Sequence, residues 1–319
     1  MRKTIRRILV AVDLSELRDA AFDRALLLAR GWNAELYLLH IRPPRPVSRF
    51  AIAGEDLELK RSDGEQAQLR ALMRWAKDEG VQVRVLAVQG DGAGRAITAH
   101  AHLVMADLIV LPRDFGSSRV WRTPSVAATV ARSAPVPVLI VPSQKAASHS
   151  AARPFKEIVV AVDFTVASAV ALRVATDLIA QGDGRGTFVH ALSYVSPMVF
   201  SGSEAFRVID DLKDQTAQAQ ARLRGAIPAV ASHLVKSRVV GGSADQAILD
   251  VAADVDADLV VMGVPRRNRL GELFFGSTFR KVVGRSLRPV LAIPVAAGAY
   301  RWAGESPAQN LNEGYMRAA

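Results

Sequence analysis

Short unbroken apolar runs alternate along this chain with longer segments whose apolar residues recur at helical spacing. In the first half the runs are Ile8–Val12, Leu36–Ile41, Val81–Val88, Leu108–Leu111 and Val136–Val141. Runs this short and this apolar predict strands covered on both faces. The segments between them, Glu16–Ala29, Leu57–Glu79, Gly94–Met105 and Ser125–Arg132, predict helices. Regular alternation of strand and helix implies a parallel five-stranded sheet with right-handed crossovers and helices on both faces, an α/β fold.

The pattern then repeats. Ile8-Leu9-Val10-Ala11-Val12-Asp13 returns as Ile158-Val159-Val160-Ala161-Val162-Asp163, and Leu38-Leu39-His40 as Phe188-Val189-His190, both at an offset of 150 (163 − 13 and 190 − 40). Ala106-Asp107-Leu108 matches Ala257-Asp258-Leu259, and Pro137-Val138-Leu139 matches Pro289-Val290-Leu291. The same landmarks in the same order mean two tandem copies of one domain. Between them Ser143 to Pro154 is small, polar and closed by proline, as a linker is. The expected organisation is residues 1–145, residues 153–296 and a loose tail over 297–319, in which Tyr300, Trp302 and Tyr315 are the only anchors on offer.

Composition narrows the function. Half of the 319 residues are hydrophobic and 23% are charged, which is globular usage with apolar material for two cores. There is no cysteine, which excludes disulfides, thiolate metal sites and cysteine nucleophiles. The six histidines show no paired metal spacing. The basic N-terminus leads into an apolar run that Asp13 ends too early for a secretory signal, and no run approaches the ~20 residues that span a bilayer. The expectation is a cytoplasmic protein without a membrane partner. A net charge of +10 favours polyanions, but the basic residues are scattered through both halves, and the aromatic platforms of single-strand binders are missing. Nucleic acid is therefore not the expected partner.

Ligands of open α/β sheets sit beyond the carboxyl ends of the strands, where the strand order reverses. In the second copy that region holds Asp163, Ala191 and Gly263. After Gly263 come Arg266, Arg267 and Arg269, then Gly276-Ser277-Thr278 at a helix start. Glycines let backbone N–H groups approach an anion, a helix N-terminus adds unpaired donors, and hydroxyls and guanidinium groups complete a phosphate cradle. Asp163 reads equally as the cap of the helix that follows it. His40 and His190, recurring at one strand end, read as packed or hydrogen-bonded core groups. Gly90-Asp91-Gly92-Ala93-Gly94 reads as a strand-to-helix turn, since Gly241-Gly242-Ser243-Ala244 occupies the same place. Arg42-Pro43-Pro44-Arg45-Pro46 reads as a rigid loop. No Walker lysine motif, nucleophile elbow or metalloprotease motif occurs.

Residues 5–142 and 155–294 resemble universal stress protein domains. That family's ATP loop has a glycine, two residues, a second glycine, nine residues, then glycine followed by serine or threonine. Gly263, Gly276 and Ser277 fit this spacing, while Arg266 stands at the second glycine. The resemblance implies a Rossmann-like fold of the adenine nucleotide alpha hydrolase-like type in each copy. It further implies adenine contacts at Asp163 and Ala191, and phosphate contacts at Gly263, Arg266, Arg267, Gly276, Ser277 and Thr278. In the first copy Pro112 and Phe115 stand where the first two glycines belong, and Pro124-Ser125 lies opposite Gly276-Ser277. Proline removes N–H donors, so that loop is expected to be degenerate, with Ser125 capping its helix.

The expected function is a non-catalytic, regulatory stress-response protein binding ATP, with or without Mg²⁺, in the second domain only. A nucleotide-free protein-interaction module of the same family is the alternative. The resemblance also implies that Val136–Val141 and Val290–Ile293 pair within the chain as an internal pseudo-dimer. A homodimer and protein partners without assigned identity complete the expectation.

Overall fold

A computed structural model describes residues 5–14, 18–42, 55–90, 92–115, 126–142, 155–182, 184–193, 203–228, 231–265 and 277–295. The chain divides into two compact units between Ala152 and Arg153. In the first, Arg7–Val12 (β1), Ala20–Trp32 (α1), Glu35–Arg42 (β2), Glu55–Asp78 (α2) and Val83–Gln89 (β3) are followed by Ala93–Leu103 (α3), Leu108–Pro112 (β4), Val126–Ser133 (α4) and Val138–Val141 (β5). In the second, Glu157–Ala161 (β6), Val166–Gln181 (α5), Arg185–Leu192 (β7), Ser203–Gly225 (α6) and Val235–Gly241 (β8) are followed by Ala244–Asp254 (α7), Leu259–Val264 (β9), Ser277–Arg285 (α8) and Val290–Pro294 (β10).

Each unit is a five-stranded parallel sheet flanked by helices on both faces, a tandem Rossmann-like α/β fold. The strand order is β3-β2-β1-β4-β5 in the first unit and β8-β7-β6-β9-β10 in the second. The order therefore reverses between β1 and β4, and again between β6 and β9. Ile8 pairs with Leu108 and Ile158 with Leu259, so the two central pairings share one register. Phe22, Leu36, Leu38 and Ile109 in one unit, and Phe188, Val160 and Leu259 in the other, are fully buried and anchor the cores.

Unpaired N–H groups at the start of each central strand are met by an aspartate one strand away. Asp107 Oδ2 accepts from the backbone N–H groups of Arg6 and Arg7 at 2.9 and 3.0 Å. Asp258 Oδ2 does the same for Lys156 and Glu157 at 2.7 and 3.3 Å. Backbone conformation repeats as well. Leu14 (φ 58°) and Phe164 (φ 61°) occupy one left-handed position, and Met105 (φ 51°) and Asp256 (φ 48°) another. A left-handed φ costs a bulky residue about 1 kcal/mol, so its recurrence with four different side chains marks a demand of the fold.

Two elements depart from the pattern-based reading. The strand predicted over Val81–Val88 begins at Val83 and is not covered on both faces: its burial is mixed along its length, because β3 is terminal in the strand order and its Arg84 is exposed. The helix predicted from Glu16 begins at Ala20, where Asp19 Oδ1 accepts from Phe22 N at 2.7 Å. Pro43 to Pro46, Pro124, Ser125, the linker and the tail lie outside the described residues.

Candidate functional site

A cleft of about 190 Å³ opens at the carboxyl ends of β6, β7 and β9, at the reversal of strand order in the second unit. Its walls are largely apolar, built by Val162, Val189, Ala191 and Met262 from the strand ends and by Ala244 and Ile248 from the start of α7. Asp163, Ser168, His190 and Thr278 are the polar residues of the lining, and Gly263 and Phe279 complete it. Of the residues singled out from sequence, Asp163, Ala191, Gly263 and Thr278 thus meet in one place. Ser277, the exposed first residue of α8, is not part of the lining. Arg266, Arg267 and Gly276 lie outside the described residues.

Asp163 does not cap α5. Its Oδ1 accepts from the N–H of Thr165 at 3.0 Å and from the Thr165 hydroxyl at 2.6 Å, and Thr165 Oγ1 in turn accepts from Ser168 N at 3.3 Å. Thr165 is the cap, and Asp163 holds it in place. Ser168 Oγ is committed to the Thr165 carbonyl at 3.0 Å. Gly263 has a packing reason of its own. A β-carbon there would lie 2.2 Å from the Ala167 carbonyl oxygen and 2.7 Å from Ser168 N, so only glycine lets β9 pass this close to the first turn of α5.

His190 Nδ1 lies 2.8 Å from the Val162 carbonyl oxygen. Phe164 packs on its ring with centroids 4.5 Å apart, and the Arg222 guanidinium stacks over Phe164 at 4.3 Å from the ring centroid. A cation over an aromatic face contributes about 0.5–1 kcal/mol at an exposed position. This column escaped the sequence reading because Arg222 lies on α6, far along the chain, and nothing local marks it. The helix bearing Thr278 is clamped by buried Asp245, whose carboxylate meets Lys281 at 3.4 Å and Arg285 at 3.2 Å.

The corresponding region of the first unit is built differently. Pro112 stands in place of Gly263, and Phe115 is buried. The offset of 150 puts the first residue of α5 at position 16, whereas α1 starts at Ala20. Burial pushes the Asp19 carboxyl up to about 6, helped by the charges of Asp13 and Asp23 and opposed by its bond from Phe22 N. His40 Nδ1 lies 3.1 Å from the Val12 carbonyl, the counterpart of the His190 contact. Its Nε2 is buried without a hydrogen bond, 3.8 Å from Glu65 Oε2, which accepts from Arg42 Nε at 2.9 Å.

Among the described residues, no group of three or more His, Asp or Glu side chains is placed to hold a metal ion, and no helix is long and apolar enough to cross a membrane.

A family model, described as the universal stress protein family, matches residues 4–142 and again 154–294. Among solved structures, a universal stress protein from Archaeoglobus fulgidus is similar over 92% of this chain and 97% of its own, with 17% identity and a TM-score of 0.63. A functionally unknown protein from Pseudomonas aeruginosa PAO1 is similar over 91% of this chain and 92% of its own, with 21% identity and a TM-score of 0.61. A universal stress protein from Archaeoglobus fulgidus in complex with dAMP matches 44% of this chain and 100% of its own, with 22% identity and a TM-score of 0.32. No curated protein matches the chain in sequence.

Proposed function

The chain belongs to the universal stress protein family, and from that premise we propose that its second unit binds an adenine nucleotide, ATP in the first instance, as a cytoplasmic, non-catalytic regulator of a stress response. One observation carries this reading: Asp163, Ala191, Gly263 and Thr278 line a single apolar-walled cleft at the reversal of strand order. Apolar walls with a few fixed polar groups suit a flat heterocycle. The first turn of α8, beside Thr278, offers unpaired N–H groups to phosphate. The two titratable side chains of the lining are both engaged, Asp163 with Thr165 and His190 with Val162. Mg²⁺ would arrive with the phosphates.

One observation favours a second reading, a nucleotide-free interaction module. Gly263 is required by the approach of α5 whether or not a ligand exists. Isothermal titration of the full chain with ATP and Mg²⁺ separates the two. Saturable binding that Gly276→Pro abolishes is the expected result. Absence of heat at millimolar ATP overturns the nucleotide reading and leaves the interaction module.

A further inference from the structure

The turn that carries Asp163 is held by more than its own hydrogen bonds. Within Asp163-Phe164-Thr165 the aspartate accepts from Thr165, and Thr165 caps α5. Phe164 between them has a φ of 61°, a region that bulky residues avoid. Two groups meet its ring: His190, with centroids 4.5 Å apart, and Arg222, whose guanidinium lies 4.3 Å from the phenyl centroid. Neither Phe164 nor Arg222 belongs to the lining of the cleft. The stretch of α6 that bears Arg222 is firmly seated. Ala219 and Leu223 are buried, and Gln220 Nε2 donates to the carbonyl and the hydroxyl of Ser237 on β8 at 3.3 and 2.5 Å.

The first unit joins the same two elements with the chemistry exchanged. There Arg18, between β1 and α1, supplies the cation and Trp75 of α2 the ring, 5.4 Å from guanidinium to centroid. Trp75 directly precedes buried Ala76 near the end of α2, as Arg222 directly precedes buried Leu223 near the end of α6, so the two hold equivalent positions. Leu14, at φ 58°, stands in place of Phe164. A contact kept while ring and cation trade elements marks the contact, rather than either residue, as what the fold uses.

We propose that Arg222 is a positioning residue of the cleft: acting through Phe164, it fixes the turn that carries Asp163, so that α6 and the lip of the cleft tighten or loosen together. The effect on ligand affinity rests on the nucleotide reading of the cleft, whereas the coupling of helix to turn stands without it.

Hydrogen exchange at the Thr165 and Ser168 amides, which bond to Asp163 and to Thr165, reads the turn directly in the full chain. Arg222→Met keeps a long side chain and removes the cation. Exchange at both amides is expected to quicken about two- to fivefold, with Arg222→Lys nearer the parent. Arg224→Met removes a charge from the same end of α6 and is expected to leave both amides unchanged. Phe164→Leu places at φ 61° the residue that the first unit already holds at φ 58°, and in that background Arg222→Met is expected to add nothing. Titration with ATP is expected to follow the same order, Arg222→Met weakening binding by a similar factor and Arg224→Met leaving it as in the parent. Unchanged exchange in Arg222→Met overturns the proposal. So does equal acceleration across the whole second unit, additivity of the two substitutions, or ATP affinity that Arg222→Met leaves untouched. Quickened exchange at the two amides in a chain that binds no ATP upholds the coupling and overturns the nucleotide reading alone.

Discussion

Asp19 shows how one side chain can carry two opposing effects. As the N-cap of α1 it satisfies Phe22 N, and a cap of this kind stabilises by about 1 kcal/mol. Burial beside Asp13 and Asp23 raises its carboxyl from 3.8 to about 6. The native state then keeps a proton that the unfolded chain gives up, so stability falls as pH rises from about 4 to about 6 and stays reduced above that. The shift corresponds to at most ~3 kcal/mol. Asp19→Asn keeps the capping oxygen and removes the titration. Its melting temperature is expected to exceed the parent's above pH 6 and to approach it near pH 4. Parallel pH profiles for the two proteins would remove burial of the charge as the cause. Gly263→Ala sets a β-carbon against the Ala167 carbonyl and is expected to destabilise by about 1–3 kcal/mol, read as a lowered urea midpoint. Asp163 was legible in the sequence as a candidate cap, whereas the cap is Thr165, which Asp163 holds. Its partner Thr165 is itself a good cap, and composition alone does not rank the two.

At the scale of elements, α3 with α4 and α7 with α8 form the same helix pair by different means. The second residue of α7 is Asp245, which clamps α8 through Lys281 and Arg285. The second residue of α3 is Gly94, where a β-carbon would lie 2.9 Å from Thr129 Cγ2, so close approach does the work of the ionic clamp. Asp245→Ala leaves two cations without their buried partner and loosens the helix that carries Thr278. The expected outcome is a loss of about 1–3 kcal/mol in the second unit and weaker ATP binding, with the difference from the parent shrinking in high salt. An unaltered titration curve for this variant would mean that α8 is positioned by packing alone. The helices and strands were legible because an apolar period of two or 3.6 is local. The start of α1 was not, because Glu16 and Asp19 both precede an apolar stripe, and the cap bond from Phe22 N settles on Asp19 only in the folded chain. The edge character of β3 was readable in the alternation of Val83, Arg84 and Val85, and was hidden by reading the segment as one apolar run.

For the whole molecule, the repeat fixes the number of sites only after side chains are compared across it. The first unit has Pro112 for Gly263 and a helix that starts late. One nucleotide per chain is therefore expected, and native mass spectrometry with ATP would count it. Two bound nucleotides would show that the first unit's loop has found another way to hold phosphate. The loss of the glycine pattern in that unit was readable from sequence. The approach of His40 to Glu65 was not, since the two lie on different elements and meet only in the folded chain.

Gly263 constrains the order in which such a site can be lost. Any side chain at that position must first displace the turn of helix carrying Ala167, so the glycine cannot drift while α5 keeps its full length. In lineages where ligand binding has lapsed, this glycine is expected to survive as a relic of packing, long after the remaining loop residues have been released. The first unit has proline at the matching position, and its first helix begins at Ala20.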